Sequence, residues 1–430
     1  MEQLQSLRGM RDLLPAETPR WQAVERAVRE VFDSFAYEEI RLPLLEPTAL
    51  FARTSGDTSD IVEKQMYSFA DRDGGNITLR PEGTAGCVRA LIENGLIRQP
   101  QRLWYTGSMF RHERPQKGRY REFTQFGAEA VGFTGPDVDV ELILMMATLW
   151  QRLGISEFVT LELNSVGDAE DRARYRQVLI DYFAAHHADL DDDSKRRLEQ
   201  NPLRILDSKV PTTQAIVAHA PQLGQFLGAE AGTHFAALQI LLRDLGIDYV
   251  LNPRLVRGLD YYNRTVFEWT TARLGSQSAV CAGGRYDGLI ETLGGPPTPA
   301  AGFGIGLDRV VLLVEEAQQM RARGAVDVYC IVGDGIDAAA AVQICQTLRV
   351  QLPALRLRVN QGGGKLKTQF KRADASGAHA AIVLAEDELA SNTITLKWLR
   401  EETPQERLTM ADTVAKLAHW LKARSSVVND

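Results

Sequence analysis

The order of strand and helix patterns changes twice along this chain, and these changes constrain its fold more than any other feature. Up to about residue 165, strand-like patterns predict strands at residues 38–42, 76–79, 102–111, 122–131 and 158–163. Strand patterning disappears over about residues 166–240, where charged helical sequence predicts an inserted subdomain, and it returns from residue 249. This order predicts an α+β core, built on an antiparallel sheet with flanking helices and interrupted by a helical insertion.

From residue 326 onward, strand patterns at residues 326–332, 355–359 and 379–384 alternate with helix patterns at residues 338–351 and 365–375. This alternation predicts a separate small α/β domain. Residues 321–325 have the character of a linker. We therefore predict two domains, residues 1–325, which include the insertion, and residues 326–430. The length of 430 residues agrees with this division, because one domain typically has about 150 residues.

Composition and charge narrow the class of protein. The chain is 44% hydrophobic and 24% charged, values typical of globular proteins, which excludes a disordered or collagen-like chain. The 56 Asp and Glu residues outnumber the 49 Lys and Arg residues, which argues against a protein that coats nucleic acid non-specifically. Any contact with nucleic acid must therefore be local.

The cysteines and the N-terminal residues bear on compartment. The four cysteines, at positions 87, 281, 330 and 345, form no Cys-x-x-Cys motif, so we expect neither structural zinc nor a disulfide framework. The first residues are charged where a signal peptide is apolar, and no run of 18 apolar residues occurs. These features predict a cytoplasmic protein without a membrane partner.

Residues 108–132 combine two strand-like arms with a strongly cationic loop. The loop contains five cations that could bind phosphates, Arg111, Arg114, Lys117, Arg119 and Arg121. The alternative is a half-solvated strand pair with ordinary alternation.

The second arm of this segment predicts a binding face. A two-residue period places Phe123, Gln125, Gly127 and Glu129 on one side of the strand. Gly127 has no side chain, so a ligand could lie across the gap between Gln125 and Glu129, which would be about 13 Å apart.

A second glycine-rich element is AGFGIGLDRV, in which Gly302, Gly304 and Gly306 recur with period two. Such a strand face usually marks the close approach of a ligand or of another backbone, and tight strand packing is the alternative. The spacing matches neither the dinucleotide fingerprint nor the P-loop. Nucleotide binding would therefore have to use an antiparallel sheet.

Three further segments place polar side chains beside glycines. They are RPEGT (residues 80–84), LVRGLDYYNRTVFE (residues 255–268) and AGGRYDGL (residues 282–289). The first adds a carboxylate and a hydroxyl at a helix start, where anions and amines are readily bound.

Together these segments resemble one family, the histidyl-tRNA synthetases of bacterial type, which are class II aminoacyl-tRNA synthetases. The resemblance runs from Gly9 to the C-terminus. Pro43 and its preceding strand resemble the first, dimer-forming class II motif, residues 111–129 the second, and residues 302–309 the third. The segments LVRGLDYYNRTVFE and AGGRYDGL are similar to the family's two histidine-specific segments.

The resemblance implies a class II catalytic core with a helical insertion and a C-terminal anticodon-binding domain. It implies a histidine–tRNA ligase that forms histidyl-adenylate and pyrophosphate from L-histidine and ATP, then transfers histidine to tRNA(His). A homodimer is expected.

It also implies roles for single residues at the ATP. Arg111 is expected to hold the α-phosphate and to assist catalysis, Phe123 to stack on adenine, and Arg309 to bind the γ-phosphate. Mg²⁺ is expected to be bound mainly through ATP oxygens, so no protein residue is assigned as a metal ligand.

For histidine, the resemblance implies ligands along the whole amino acid. Arg257 resembles the family's catalytic arginine, which acts electrostatically on the carboxylate and the α-phosphate. Glu129 and Tyr262 are expected to bind the imidazole, with Tyr261 nearby. The full set of expected histidine ligands is Glu82, Thr84, Arg111, Gln125, Glu129, Arg257, Tyr261 and Tyr262.

Three alternatives stay open at this point. Glu129 could instead form a salt bridge with an arginine such as Arg257. The chain could be a histidine-binding regulatory subunit of ATP phosphoribosyltransferase, a non-catalytic relative that, as expected of that family, lacks the anticodon domain. It could also be a class II ligase that acylates something other than tRNA.

Overall fold

The computed structural model describes residues 3–55, 61–208, 210–256, 261–275, 279–317 and 326–427. The chain divides into two compact units, residues 1–321 and 322–430, and each is described by itself.

The described part of the first unit contains eleven strands. They are β1 (Glu38–Glu39), β2 (Leu45–Pro47), β3 (Tyr67–Ala70), β4 (Asn76–Leu79), β5 (Gln101–Phe110), β6 (Glu122–Val131), β7 (Thr160–Ser165), β8 (Val250–Leu251), β9 (Asn263–Thr270), β10 (Ala279–Arg285) and β11 (Ala300–Gly306). Its α-helices are α1 (Thr18–Ser34), α2 (Thr48–Ser55), α3 (Thr84–Glu93), α4 (Pro136–Arg152), α5 (Ala169–Ala185), α6 (Asp192–Gln200), α7 (Pro211–Val217), α8 (Ala229–Asp244), α9 (Leu289–Thr292) and α10 (Leu307–Glu316).

Eight of these strands form one sheet in the order β1-β5-β6-β11-β10-β9-β7-β8. Its pairs are antiparallel except for β1 with β5 and β7 with β8. Strands β2, β4 and β3 form a smaller antiparallel sheet. The prediction of an α+β core on a large antiparallel sheet with flanking helices is confirmed.

One face of the large sheet packs on helices, because apolar side chains alternate along its strands. Trp104, Phe126 and Phe303 point from three strands into the main core, where they meet the apolar stripe of α1. The rings of Phe32 and Trp104 lie 5.7 Å apart. Burying one such side chain contributes about 1.5–3 kcal/mol. The opposite face carries a smaller apolar cluster, which includes Leu103, Met109 and Val131, and polar residues beside it.

The predicted helical insertion is present as helices α5 to α8, which follow β7 and precede β8. They enclose a core of their own, which includes Tyr175, Leu179 and Phe183. Helix α5 begins with a capping box between Asp168 and Asp171, which satisfies backbone N–H groups of its first turn.

Two predicted strands differ from those observed. The strand predicted over residues 38–42 pairs in β1 only at Glu38–Glu39, because the carbonyls of Leu42 and Pro43 accept hydrogen bonds from Arg80. The strand predicted from residue 158 begins at Thr160, since residues 156–158 form a short 3₁₀ turn.

The second unit is an α/β domain, as predicted. Its elements are β12 (Val328–Val332), α11 (Ala338–Gln351), β13 (Leu357–Val359), α12 (Leu366–Ala375), β14 (Ala380–Leu384), α13 (Glu386–Ala390), β15 (Thr393–Trp398), β16 (Glu406–Thr409) and α14 (Met410–Val427). The sheet order is β13-β12-β14-β15-β16, in which the first three strands are parallel and the last two antiparallel.

The cysteines and the helices bear on the expectations about disulfides and membrane spans. All four cysteines lie among the described residues, where they are buried and unbridged. Among the helices described, none combines the length and the apolar character needed to cross a bilayer.

Candidate functional site

The face of the large sheet opposite the main core carries a cavity of about 290 Å³. Its walls come from β6, β10 and β11, from the start of α3, and from the loop of residues 111–121. Eight residues assigned from the sequence line it: Glu82, Thr84, Arg111, Phe123, Gln125, Tyr261, Tyr262 and Arg309. Sequence segments more than 200 residues apart therefore meet in one site.

Glu82 and Thr84 lie where the chain turns into α3. The Glu82 carboxylate accepts the backbone N–H groups of Thr84 at 2.6 Å and of Ala85 at 3.0 Å, which holds it at the helix start. Burial nevertheless raises the pKa of Glu82, although these hydrogen bonds oppose the shift. A cationic group beside this carboxylate would favour its charged form.

Gln125 contributes an acceptor that is not used within the protein. Its Oε1 atom is buried, and within the described structure it has no hydrogen-bond partner. Gln125 also lines the cavity. Because a buried carbonyl oxygen without a donor is costly, this atom is suited to accept a hydrogen bond from a bound ligand.

The expected gap at Gly127 is filled by the protein itself. Tyr105 pairs with Gly127 across β5 and β6, and a Cβ atom at Gly127 or at Gly83 would overlap the Tyr105 ring. The prediction that a ligand lies across Gly127 is therefore wrong. The buried Tyr105 ring occupies that space and forms part of the cavity wall.

Glu129 does not line the cavity but lies behind Tyr105, with none of its surface exposed. Its Oε1 atom accepts hydrogen bonds from Thr84 Oγ1 at 2.8 Å and Tyr105 OH at 2.9 Å, and its Oε2 atom accepts one from Tyr286 OH. Burial raises the pKa of Glu129 to about 8, although the three hydroxyls oppose the shift. The expectation of a carboxylate that opens directly onto the ligand is not met here.

The glycine face of β11 accommodates side chains of its neighbouring strand. A Cβ atom at Gly302 would overlap the Glu129 carboxylate, and one at Gly304 would overlap the Gln125 amide. At these two positions the glycines make room for protein side chains, so the tight-packing alternative describes them. Gly304 and Gly306 both border the cavity, and a Cβ atom at Gly306 would meet only the Arg309 side chain, at 4.0 Å.

Three guanidinium groups meet in the cavity, those of Arg111, Arg119 and Arg309. Burial and the other two arginines lower the pKa of Arg309 to about 10, and burial and Arg111 lower that of Arg119. The three guanidinia thus repel one another, although Glu82, Glu113 and Asp308 also line the cavity, and an anion bound between the arginines would relieve this repulsion.

The protein fixes the orientation of these guanidinia. Arg309 donates from Nε to the carbonyl of Gly118 at 3.0 Å and from Nη1 to that of Ala279 at 2.5 Å. Arg111 donates from Nε to the carbonyl of Pro81 at 2.8 Å and lies over the Phe123 ring, 5.3 Å from its centre. One of the two faces of Phe123 is thus in contact with a cation.

The loop of residues 111–121 directs some of its side chains into the cavity and others into solvent. Arg119 lines the cavity and forms an ion pair with Glu113, whereas Arg114 and Lys117 are exposed and outside the lining. Arg121 donates to the carbonyl of Glu113 at 3.2 Å. Of the five cations expected to bind phosphates, two therefore reach the cavity.

Three tyrosines cluster beside Glu129, and two of them, Tyr261 and Tyr262, line the cavity. The ring centres of Tyr261 and Tyr262 lie 4.7 Å apart, and that of Tyr286 lies 5.5 Å from Tyr261. Burial raises the pKa of Tyr261 and Tyr286 well above the ordinary value, so both are neutral donors. Arg257, the expected catalytic arginine, lies outside the described residues.

Sequence reasoning missed two residues at this site. Tyr105 and Tyr286 were not singled out as ligand neighbours, whereas Arg119 was predicted only as one of five cations that could bind phosphates. A signal was present for Tyr286, which follows two glycines in AGGRYDGL. Within the described part of the chain, no group of three or more His, Cys, Asp or Glu side chains is arranged to hold a metal ion.

Comparisons with known proteins agree on one family. Residues 9–310 match the family model for histidyl-tRNA synthetase, and residues 326–420 match that for the anticodon-binding domain. The crystal structure of apo S. aureus histidyl-tRNA synthetase is 33% identical, with a TM-score of 0.80, over 96% of this chain and 99% of that one.

Two more distant structures share the fold. Histidyl-tRNA synthetase from Nostoc sp. PCC 7120 is 19% identical, with a TM-score of 0.70, over 97% of this chain and 100% of that one. A Bacillus halodurans C protein is described as an ATP phosphoribosyltransferase regulatory subunit/histidyl-tRNA synthetase. It is 24% identical, with a TM-score of 0.60, over 86% of this chain and 97% of that one.

Proposed function

The chain belongs to the histidyl-tRNA synthetase family, and we propose that it is a histidine–tRNA ligase. It would join L-histidine to ATP as histidyl-adenylate, release pyrophosphate, and then transfer the histidyl group to the 3′ end of tRNA(His). One observation carries the proposal, namely that a single cavity joins acceptors for an amine to three guanidinia for phosphates.

The α-amino group of histidine is proposed to bind among Glu82, Thr84 and Gln125. The buried Gln125 Oε1 atom lacks a donor, and an ammonium group supplies up to three. The raised pKa of Glu82 points the same way, because a cation at this position would offset the cost of burying the carboxylate.

ATP is proposed to lie along the arginine cluster, with its adenine on the remaining face of Phe123. Arg111 would hold the α-phosphate and Arg309 the γ-phosphate, while Arg119 adds a third cation to the same cavity. Mg²⁺ would enter with ATP and neutralise phosphate charge there, since this ion usually keeps its waters and few protein ligands.

The chemical step is attack of the histidine carboxylate on the α-phosphorus, with pyrophosphate as the leaving group. Negative charge grows on the α-phosphate oxygens as the bond forms. Arg111 is already oriented by the Pro81 carbonyl and by Phe123, so it can stabilise this charge without reorganisation. Arg257 is proposed to act on the same charge.

Imidazole binding is proposed for Glu129 and Tyr262, with Tyr261 nearby. Because Glu129 is fully buried and Tyr105 lies between it and the cavity, contact with the imidazole requires Tyr105 to move. An imidazolium beside Glu129 would favour its charged form, so Glu129→Gln should remove a charged hydrogen bond, weaken histidine binding about tenfold or more and leave ATP binding unchanged. Calorimetric titration with each ligand measures both.

The second unit is proposed to bind the anticodon of tRNA(His). Its loop of three glycines, Gly362 to Gly364, has positive φ throughout and leads into α12. Lys365, Lys367 and Lys371 are exposed beside it. Bare backbone and cations at one edge of a domain suit contact with a phosphate backbone.

A homodimer is proposed from the resemblance of the segment around Pro43 to the dimer-forming motif. Apolar side chains beside it are exposed, namely Leu44 at 47%, Leu45 at 43% and Phe69 at 47%. Light scattering of the purified protein should give twice the mass of one chain, and a monomeric mass would reject the dimer.

The decisive experiment is ATP–pyrophosphate exchange with each of the twenty amino acids, followed by charging of total tRNA. We expect exchange with histidine and subsequent charging. Histidine binding without exchange would instead favour the regulatory subunit of ATP phosphoribosyltransferase. Exchange without charging would favour a ligase that acylates another acceptor.

A further inference from the structure

The strand that follows Tyr261 and Tyr262 contains a bulge with unusual backbone geometry. Gly284 of β10 pairs with Val266 of β9, but the next residue, Arg285, pairs with Asn263, so β9 has two extra residues here. One of them, Arg264, has φ of +50°. Glycine adopts this conformation most easily, so an arginine here is a costly choice unless its side chain is used.

The Arg264 side chain binds both ends of the helical insertion. Its Nε donates to Asp168, the N-cap residue of α5, at 2.9 Å, and its Nη2 donates to Glu230 in the first turn of α8 at 3.1 Å. Its backbone N–H donates to the Gly167 carbonyl at 2.9 Å. The bulge is thus held where the insertion leaves the sheet and where its last helix begins.

A second arginine, which belongs to the insertion, binds the backbone of Tyr262. Arg172, early in α5, donates from Nη1 to the backbone carbonyl of Tyr262 at 2.9 Å and to that of Gly167 at 3.1 Å. Tyr262 also packs against the hydrophobic core of the insertion, while its side chain lines the cavity. The insertion therefore contacts Tyr262 through both backbone and ring.

The arginines of the cavity are supported by different parts of the fold. Arg309 bonds to carbonyls of Gly118 and Ala279, and Arg111 to that of Pro81, none of which belongs to the insertion. Loss of the contacts at Arg172 or Arg264 should therefore displace Tyr262 and leave the arginine cluster in place.

We propose that the helical insertion is the support of the histidine subsite, and that Arg172 and Arg264 are its positioning residues. The proposal rests on the proposed function, since it assigns Tyr262 to histidine. Its consequence is that a disturbance of the insertion at these two contacts changes affinity for the amino acid and not for the nucleotide.

The test uses the full chain with Arg172→Gln, Arg172→Lys and Arg264→Gly. Glycine adopts positive φ readily, so Arg264→Gly is compatible with the bulge and removes the side-chain contacts of Arg264. Arg196→Gln is the matched control, because Arg196 pairs with Asp193 within α6 and is 67% exposed. Each protein is assayed by ATP–pyrophosphate exchange with histidine and ATP varied in turn, after circular dichroism has confirmed folding.

We expect the histidine KM to rise about tenfold in Arg172→Gln and Arg264→Gly, the scale of one lost hydrogen bond, with the ATP KM within about twofold. Arg172→Lys keeps a donor and should recover part of the loss, while Arg196→Gln should match the wild type. Equal changes in both KM values, or none, would overturn the proposal. If Arg172→Gln does not fold, Arg264→Gly decides alone.

The two proposals fail in different ways. A wild-type protein without histidine-dependent exchange would reject the proposed function, and with it the assignment of Tyr262. An active wild type whose histidine KM is the same in all four variants would reject only the role of the insertion.

Discussion

At Glu129 burial and charge are opposed. Its carboxylate is fully buried and is held by the hydroxyls of Thr84, Tyr105 and Tyr286. Hydroxyl donors stabilise a carboxylate less than a cation does, so burial dominates and raises the pKa of Glu129 to about 8.

This pKa predicts a pH dependence of stability. Between the ordinary pKa of 4.5 and about 8, folded Glu129 retains a proton that the unfolded chain has lost. The stabilisation is complete at low pH and is lost as pH rises, by up to about 1.4 kcal/mol per unit. Urea unfolding at pH 5, 6, 7 and 8 should show this decline in the wild type and a shallower one in Glu129→Gln. Since burial also raises the pKa of Glu82, only the difference between the two proteins is informative, and parallel curves would contradict the assignment.

For Arg257 the prediction comes from the family resemblance. Arg257→Ala should lower the rate of histidyl-adenylate formation by about 10²- to 10³-fold, because a preorganised charge acts mainly on the transition state. Single-turnover kinetics give this rate, and equilibrium titration gives the affinities for ATP and histidine, which should change little. Weakened binding at an unchanged rate would show that Arg257 binds substrate without assisting the reaction.

Sequence identified eight of the residues that line the cavity but not the position of Tyr105 among them. Gln125 and Arg309 could be found because strand period and glycine spacing are local properties. The position of Tyr105 over Gly127 depends on the register of β5 against β6. A two-residue turn would have fixed that register, but residues 111–121 form a long loop that does not. The ligand was therefore placed in the gap between Gln125 and Glu129, which Tyr105 fills.

At the scale of elements, the loop between β5 and β6 places some of its cations in the cavity and leaves others in solvent. Arg111 and Arg119 are turned inward by contacts with Pro81, Phe123 and Glu113, while Arg114 remains exposed. The loop therefore offers a direct comparison between a cation in the cavity and one in solvent.

Arg119→Gln should raise the ATP KM by about tenfold or more, because a desolvated charged hydrogen bond contributes about 1.5–3 kcal/mol. The histidine KM should stay within about twofold. Arg114→Gln serves as the control and should leave both unchanged in ATP–pyrophosphate exchange. If the two variants behaved alike, the polyanion would not bind at the arginine cluster.

Elements with a clear period were predicted with the observed bounds, as for β4, β6 and α11. The short strands β2 and β3 were missed, since three or four residues give too little alternation to recognise. In β15 the signal was present and unused, because Ile394, Leu396 and Trp398 alternate with polar residues. Its antiparallel pairing with β14 could not follow from an alternation of strands and helices.

On the scale of the whole molecule, substrate chemistry and tRNA binding are proposed for separate units. Every residue assigned to ATP or histidine precedes residue 318, and the second unit has its own core around Val328, Ile382 and Leu417. Two independent cores make it physically reasonable to remove one unit without unfolding the other.

A chain that ends at Ala325 should therefore still form histidyl-adenylate but charge tRNA poorly. The removed unit matches the anticodon-binding family, and each specific contact with a base is worth about 1–3 kcal/mol. We expect kcat/KM for tRNA to fall about tenfold or more, with exchange kinetics largely kept. Pyrophosphate exchange and charging of total tRNA measure the two activities, and circular dichroism shows whether the shortened chain is folded. A folded, shortened protein that charged tRNA at full efficiency would remove the reason to assign residues 326–430 to the anticodon.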